Sequence, residues 1–305
     1  MDQAQLSIVL PVYNRATIVE RTLASVAAQT LRPLSVVLVD NNSTDSTLAV
    51  LRRWTEANTA PDFAVEVITE PRPGAANARN AGLARVATPW TMFFDSDDIM
   101  LPDHCASALA TAAANPAAQI VGWDAKLQYP DGRRRTMHFS TRDAIYTNVF
   151  HSTFSTQLYM ARTDLFRQVG GWLKDSRMFD DCELGNRLLL SRPVMVKRRG
   201  EPLAIVYPQP DSISNTKVSY DSIKIALNGI EAALPQHHRH WVDLIRLLMV
   251  STWARQSADA ADHARAILAR QPRLRRWLWT LFYRYSLRGG RGVARLYRPF
   301  SLLGI

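Results

Sequence analysis

Over its first 125 residues the chain alternates short, largely apolar runs with amphipathic ones. Leu6–Val12 (LSIVLPV), Leu34–Val39 (LSVVLV), Phe63–Thr69 and Trp90–Phe94 have the length and β-branched or aromatic content of strands. Between them, Ile18–Gln29, Leu48–Trp54 and Ala75–Arg85 read as helices, and NNSTDS after Asp40 supplies capping side chains for the second of these. Strand and helix in alternation predict a mostly parallel sheet covered by crossover helices. In such sheets functional groups collect at the carboxyl ends of strands, which is where Asn14, Asp40 and Asp95 fall.

Beyond Asp124 the pattern changes. Lys126–Phe139 reads as a hairpin around Pro130-Asp131-Gly132, and short elements lead to Gly171-Trp172. Phe179–Leu190 is a helix with acids in its first turn, Val194–Tyr207 holds two strand-like pieces, and from Val218 the pattern is helical throughout. The expected division is therefore an α/β domain over 1–216 and a helical extension over 217–305.

With 47% hydrophobic and 21% charged residues, the 305-residue chain has the composition of a globular protein. It lacks an apolar run of about 18 residues, and MDQAQLS has neither the basic nor the apolar region of a signal peptide, so a cytoplasmic location is expected. Cys105 and Cys182 are far apart and outside any CxxC pair, which argues against a disulfide framework and a structural zinc site. The net charge of +10 is unevenly placed: residues 237–305 carry 13 Arg, no Lys and 3 Asp, leaving residues 1–236 neutral. A neutral body with a basic tail suggests a catalytic domain followed by something that meets an anionic surface.

Candidate chemistry begins at FFDSDD (93–98), three carboxylates crowded at a strand end. Such repulsion calls for neutralisation, and Asp95-Ser96-Asp97 offers hard oxygen ligands suited to Mg²⁺ or Mn²⁺. Alone, the same residues read better as an acidic helix cap before Leu101-Pro102. The ordered series LPVYNR (10–15), VDNNSTDST (39–47), GAANARNAG (74–82), FFDSDD and FDDCEL (179–184) changes this. It resembles the family 2 glycosyltransferases over residues 6–215, which implies a Rossmann-like GT-A α/β fold and transfer of a sugar from a nucleotide-sugar with inversion.

The resemblance implies a role for each motif. Pro11, Tyr13, Asp40 and Asn41 would surround the nucleotide base, with Asn41 standing where many members have an acid. Arg79 would lie near the nucleotide and balance its phosphates; Asp95 and Ser96 would also face the donor. Asp97 would coordinate a divalent metal directly, Asp95 would assist through the ribose or a metal-bound water, and Asp98 would cap the next helix. Asp181 would be the general base that activates the acceptor hydroxyl, beside Asp180 on the acceptor side, with Asp180 and Glu183 supporting the helix or touching the acceptor. Gly170-Gly171-Trp172 resembles a turn beside the acceptor, where Trp172 either stacks on a sugar or packs the core. The late histidine of many members is replaced by a stretch in which Gln209 falls closest.

The implied cofactor is Mn²⁺ or Mg²⁺, and the implied partners are a nucleotide-sugar, a UDP-sugar first, and a glycan or lipid-linked acceptor of cell-surface polysaccharide synthesis. His237, His238 and His240 read as a basic helix start rather than a metal cluster. The segment Arg270–Arg298 has nine Arg and no acid, interleaved with Trp277, Trp279, Phe282, Tyr283 and Tyr285, a composition suited to an interfacial helix on anionic lipid at the cytoplasmic face. Docking on the catalytic domain or self-association into a homo-oligomer are the alternatives, and nucleic acid is disfavoured. A sugar-nucleotidyltransferase would share the sheet and metal site, but LPVYNRA has no glycine-rich loop. A non-catalytic peripheral-membrane module is countered by the intact Asp97 and Asp181.

Overall fold

The computed structural model describes residues 3–142, 153–209, 220–234 and 258–288, together with 145, 147, 148, 243, 244, 246 and 247. The chain divides into two compact units, Met1–Lys217 and Val218–Ile305.

The main sheet of the first unit contains β1 (Leu6–Val12), β2 (Leu34–Asp40), β3 (Phe63–Thr69), β4 (Trp90–Phe93), β6 (Ile120–Gly122), β9 (Tyr159–Arg162) and β10 (Met195–Lys197). Their spatial order is β10-β6-β9-β4-β1-β2-β3. A second sheet, ordered β5-β11-β7-β8, is made of β5 (Ile99–Met100), β7 (Ala125–Gln128), β8 (Arg134–Met137) and β11 (Ala204–Val206). The expected hairpin is the β7–β8 pair, in which Gln128 faces Arg134 across the turn. The unit's main helices are α1 (Val19–Ala27), α2 (Thr47–Asn58), α3 (Ala75–Arg85), α4 (His104–Ala113), α5 (Thr163–Gln168) and α6 (Asp180–Leu190).

Burial follows position in the sheet. Every residue of the central β1 is buried, whereas the edge strand β3 is buried fully only at Phe63. Fully burying each large aliphatic side chain contributes about 1.5–3 kcal/mol, so the Leu, Ile and Val residues of β1 and β2 anchor the unit. Helix α3 approaches this centre so closely that a Cβ at Gly82 would lie 2.3 Å from Val9 Cγ1, which is why the ARNAG run ends in glycine.

One departure from the mostly parallel pattern shapes the site. Strand β9 runs antiparallel between β4 and β6, with Met92 opposite Met160 and Trp90 opposite Arg162. The chain arrives there after the long excursion through the second sheet. Residues just before β9 are consequently brought beside those just after β4.

The second unit contains α7 (Tyr220–Ala233), α8 (Ala258–Ala269) and α9 (Arg273–Leu287). Buried Asp243 accepts hydrogen bonds from Arg270 and from Gln271 Nε2, the latter at 2.8 Å, and Tyr220 Oη meets His263 Nδ1 at 2.8 Å. No helix among the described residues is long and apolar enough to cross a membrane.

Candidate active site

At the carboxyl end of β1, Asn14 adopts a left-handed φ of 48° and locks onto the loop after β2. Its Oδ1 accepts from Thr44 N at 2.8 Å, and its own N donates to Ser43 Oγ at 3.1 Å. Asn42 also sits left-handed, at φ 60°, a conformation asparagine tolerates better than most residues. The two loops are thus cross-braced. Tyr13 is left half-exposed at the rim, while Pro11 remains in the strand.

Asp40 is buried at the end of β2; its Oδ2 accepts from Ser43 N at 3.2 Å, and its buried Oδ1 has no hydrogen-bond partner. Asn41 behaves differently. Its Nδ2 donates to Glu70 O and Arg72 O at 3.0 and 2.7 Å, and its Oδ1 accepts from Gly74 N at 2.7 Å. The Asn41 amide therefore holds the 70–74 loop in place, and its polar atoms are engaged by backbone.

Arg79 is the centre of the arrangement. Its buried guanidinium donates to Asp180 Oδ2 at 2.7 Å and to Asp95 Oδ1 at 2.8 Å, and it lies over the Trp172 ring at 4.4 Å. Burial alone would lower its pKa, but the Asp95 and Asp180 carboxylates outweigh this and hold it above the usual value. The fork expected to meet phosphate is instead shared between two carboxylates from sequence-distant motifs.

Trp172 takes the core role of the two alternatives. It is 1% exposed, packs edge-on against Phe93 at 5.2 Å, and has its backbone clamped by Asn80: Nδ2 donates to Trp172 O, and Oδ1 accepts from Trp172 N, both at 2.8 Å. The preceding Gly171, at φ 69°, leaves room for Asn80 Oδ1 that a Cβ would fill at 2.5 Å. No open face remains for stacking on a sugar.

The acidic loop is organised by a residue absent from every sequence motif. Gln157 Nε2 donates to Asp95 Oδ2 at 2.6 Å and to Asp98 Oδ2 at 2.8 Å, while Thr156 Oγ1 reaches Asp95 Oδ2 at 3.2 Å. Asp98 also accepts from Tyr207 N at 2.9 Å, and the residue at the N-terminus of α4 is Asp103. Asp98 is thus a buried tie between loops, not a helix cap. Burial, then the charges of Asp95 and Asp97, raise its pKa well above the ordinary carboxylate value.

Asp97 projects differently, with a side chain 20% exposed and Arg15 Nη2 3.9 Å from its Oδ2. Arg21 donates to Asp97 O at 2.6 Å and lies over the Tyr207 ring at 4.1 Å. Ser96 is buried between them in sequence, and Gln209, half-buried, donates to Tyr207 O at 3.4 Å. Both oxygens of Asp95 already accept hydrogen bonds, so Asp97 is the better placed of the two for direct coordination. No group of three or more metal-ligating side chains occurs among the described residues. Asp95 and Asp97 supply hard carboxylate oxygens, the donor type that Mg²⁺ and Mn²⁺ take alongside water and phosphate oxygens.

Asp180 and Asp181 open α6 after Phe179, itself left-handed at φ 56°. Asp181 Oδ1 is buried without a hydrogen-bond partner. Burial first, and then the negative charges of Asp180 and Asp95, push its proton affinity well above the usual range, with Arg79 opposing. Glu183 is instead engaged within the helix by Arg187, at 2.6 Å to Nε. His237, His238 and His240 lie outside the described residues.

Residues 7–174 match the family described as Glycosyl transferase family 2. Among curated proteins, a validoxylamine A glucosyltransferase of Streptomyces hygroscopicus subsp. jinggangensis is 30% identical over 149 residues, 46% of this chain and 34% of that protein. The chain spans about a third of the length of the two Streptomyces relatives it matches. A PGL/p-HBAD biosynthesis glycosyltransferase of Mycobacterium tuberculosis is 26% identical, covering 83% of this chain and 92% of its own. Among solved structures, S. aureus TarS 1-349 in complex with UDP-GlcNAc superposes with a TM-score of 0.61 at 19% identity, over 83% of this chain and 73% of that one. The mannosyltransferase PcManGT of Pyrobaculum calidifontis, in complex with GDP-Man and Mn²⁺, gives 0.52 at 19% identity over 97% and 83%. The shared architecture is GT-A.

Proposed function

Because this chain belongs to glycosyl transferase family 2, we propose that it is a metal-dependent inverting glycosyltransferase acting on a nucleotide-sugar, a UDP-sugar first. The acceptor is a hydroxyl of a glycan or lipid-linked glycan in cell-surface polysaccharide assembly. The observation that carries this reading is the Arg79 bridge, which joins Asp95 of the acidic loop to Asp180 beside the unpartnered Asp181. A donor-side carboxylate and a base-side carboxylate are thereby held at one guanidinium.

In this reading Asp40 and Tyr13 bind the nucleotide, while Asp97, supported by Asp95, would hold Mg²⁺ or Mn²⁺. A bound divalent cation would offset negative charge on the departing diphosphate. Asp181 takes the proton of the acceptor hydroxyl as its oxygen bonds to the anomeric carbon from the face opposite the diphosphate, whose bond to that carbon breaks. A carboxylate with raised proton affinity is a stronger base for this task once ionised. The second unit, with its net positive charge, brings the first to an anionic membrane surface and its lipid-linked acceptor.

The solved neighbours holding UDP-GlcNAc, or GDP-Man with Mn²⁺, support the donor class and the cation. A panel of nucleoside diphosphates and nucleotide-sugars, with and without Mn²⁺, should raise the melting temperature of the protein for one base only. Asp97→Ala should abolish the Mn²⁺-dependent part of that shift. A full Mn²⁺-dependent shift in this variant would remove Asp97 from the metal site.

A further inference from the structure

Helix α9 turns apolar side chains in two directions. Leu278, Trp279 and Phe282 are buried, whereas Leu274, Trp277 and Leu281 are exposed, Leu274 by 60% and Trp277 by 63%. The exposed three recur at intervals of three and four residues and so form one ridge along the helix. Arg273, Arg284 and Arg288 are also exposed and follow the same three-and-four spacing from Trp277 and Leu281, so they extend that ridge at its two ends. The stretch from Arg270 to Arg298 contains no acid at all.

A bare Trp-Leu ridge in water is unfavourable, and its cationic ends narrow what can cover it. A second copy presenting the same face would set arginine against arginine. An anionic bilayer satisfies both features: the indole suits the headgroup level, leucines reach the acyl boundary, and guanidinium forks pair with phosphate. We propose that Leu274, Trp277 and Leu281 insert into the interface of an anionic bilayer while Arg273, Arg284 and Arg288 hold its headgroups. This rests on the reading above that the basic unit meets anionic lipid, and it names the face that does so.

The test is co-sedimentation of the full-length protein with phosphatidylserine–phosphatidylcholine vesicles, against phosphatidylcholine alone, at low and high salt. Wild type should bind the anionic vesicles and retain part of that binding at high salt. The triple variant L274S/W277S/L281S should lose the salt-resistant part, weakening binding about tenfold or more. The variant R273Q/R284Q/R288Q should lose mainly the salt-sensitive part. Brominated lipid should quench wild-type tryptophan fluorescence more than that of Trp277→Phe, a readout that does not depend on the triple variant folding.

Wild type that ignores anionic vesicles at low salt overturns the membrane reading itself, and this inference with it. Wild type that binds while the serine variant binds equally, or while Trp277→Phe leaves quenching unchanged, overturns only this face. A wild-type dimer dissolved by the serine variant, without vesicle binding, assigns the ridge to a second copy instead.

Discussion

Asp181 has one carboxylate oxygen out of water and unpartnered, and this has opposite consequences for stability and for catalysis. Its raised proton affinity means that the folded state holds the proton more tightly than the unfolded chain. Stability is therefore fullest below the unfolded carboxylate pKa, falls as pH rises through the raised folded value, and stays reduced above it. Asp181→Asn removes that penalty. The variant should melt at a higher temperature than wild type at pH 8, with the gap closing towards pH 4, while transfer falls by roughly 10² or more and donor binding persists. With Asp181 as the proposed base, wild-type turnover should rise with pH through the same raised value, since only an ionised base accepts a proton. Arg79 makes the opposite case, because removing it leaves carboxylates facing one another. Arg79→Gln should cost about 3 kcal/mol, the low end for breaking a buried ion pair, given that Asp95 is partly solvated. Urea denaturation of the variant beside wild type should show that loss as a lower midpoint.

At the scale of elements, what the sequence allowed to be read follows from how local each signal is. Strands β1 to β4 and helices α1 to α3 are written in contiguous apolar periodicity, and Asn14, Asp40 and Asp95 fall at strand ends as that alternation requires. Strand β9 is only four residues long and antiparallel to its neighbours, and its placement depends on the return path of a long excursion, which periodicity does not encode. Gln157 was unreadable for the same reason: its approach to Asp95 exists only because β9 pairs with β4. Arg79 was recognisable as important from its motif, yet its partners were not, since Asp180 lies 101 residues away. Asn41 and Trp172 sat in the right motifs, but the 70–74 loop and Asn80 claim them. Gly82 shows the reverse, a local residue with a tertiary cause. Gly82→Ala places a Cβ 2.3 Å from Val9 Cγ1, so α3 must shift from β1 despite alanine's better helix propensity. The expected cost is about 1–3 kcal/mol by denaturant titration. Because Arg79 rides on the same helix, donor affinity should weaken with it.

Across the whole molecule, charge is segregated: residues 1–236 are neutral, and the last 69 residues, all within the second unit, carry the entire +10. A nearly neutral catalytic unit has little long-range attraction for a diphosphate donor, so donor capture should rest on short-range contacts that salt screens weakly. The basic unit is the reverse, since its attraction to a charged surface acts over the Debye length, about 10 Å at 0.1 M salt and about 3 Å at 1 M. Salt therefore separates the two tasks. With the same acceptor glycan offered either free in solution or on a lipid anchored in anionic vesicles, raising the salt should leave kcat/KM for the free glycan nearly constant. For the anchored glycan, kcat/KM should fall several-fold, and the loss should vanish when the vesicles are made neutral. An equal fall on both acceptors would place the salt-sensitive step in the catalytic unit, and the charge segregation would then serve something other than delivery to the membrane.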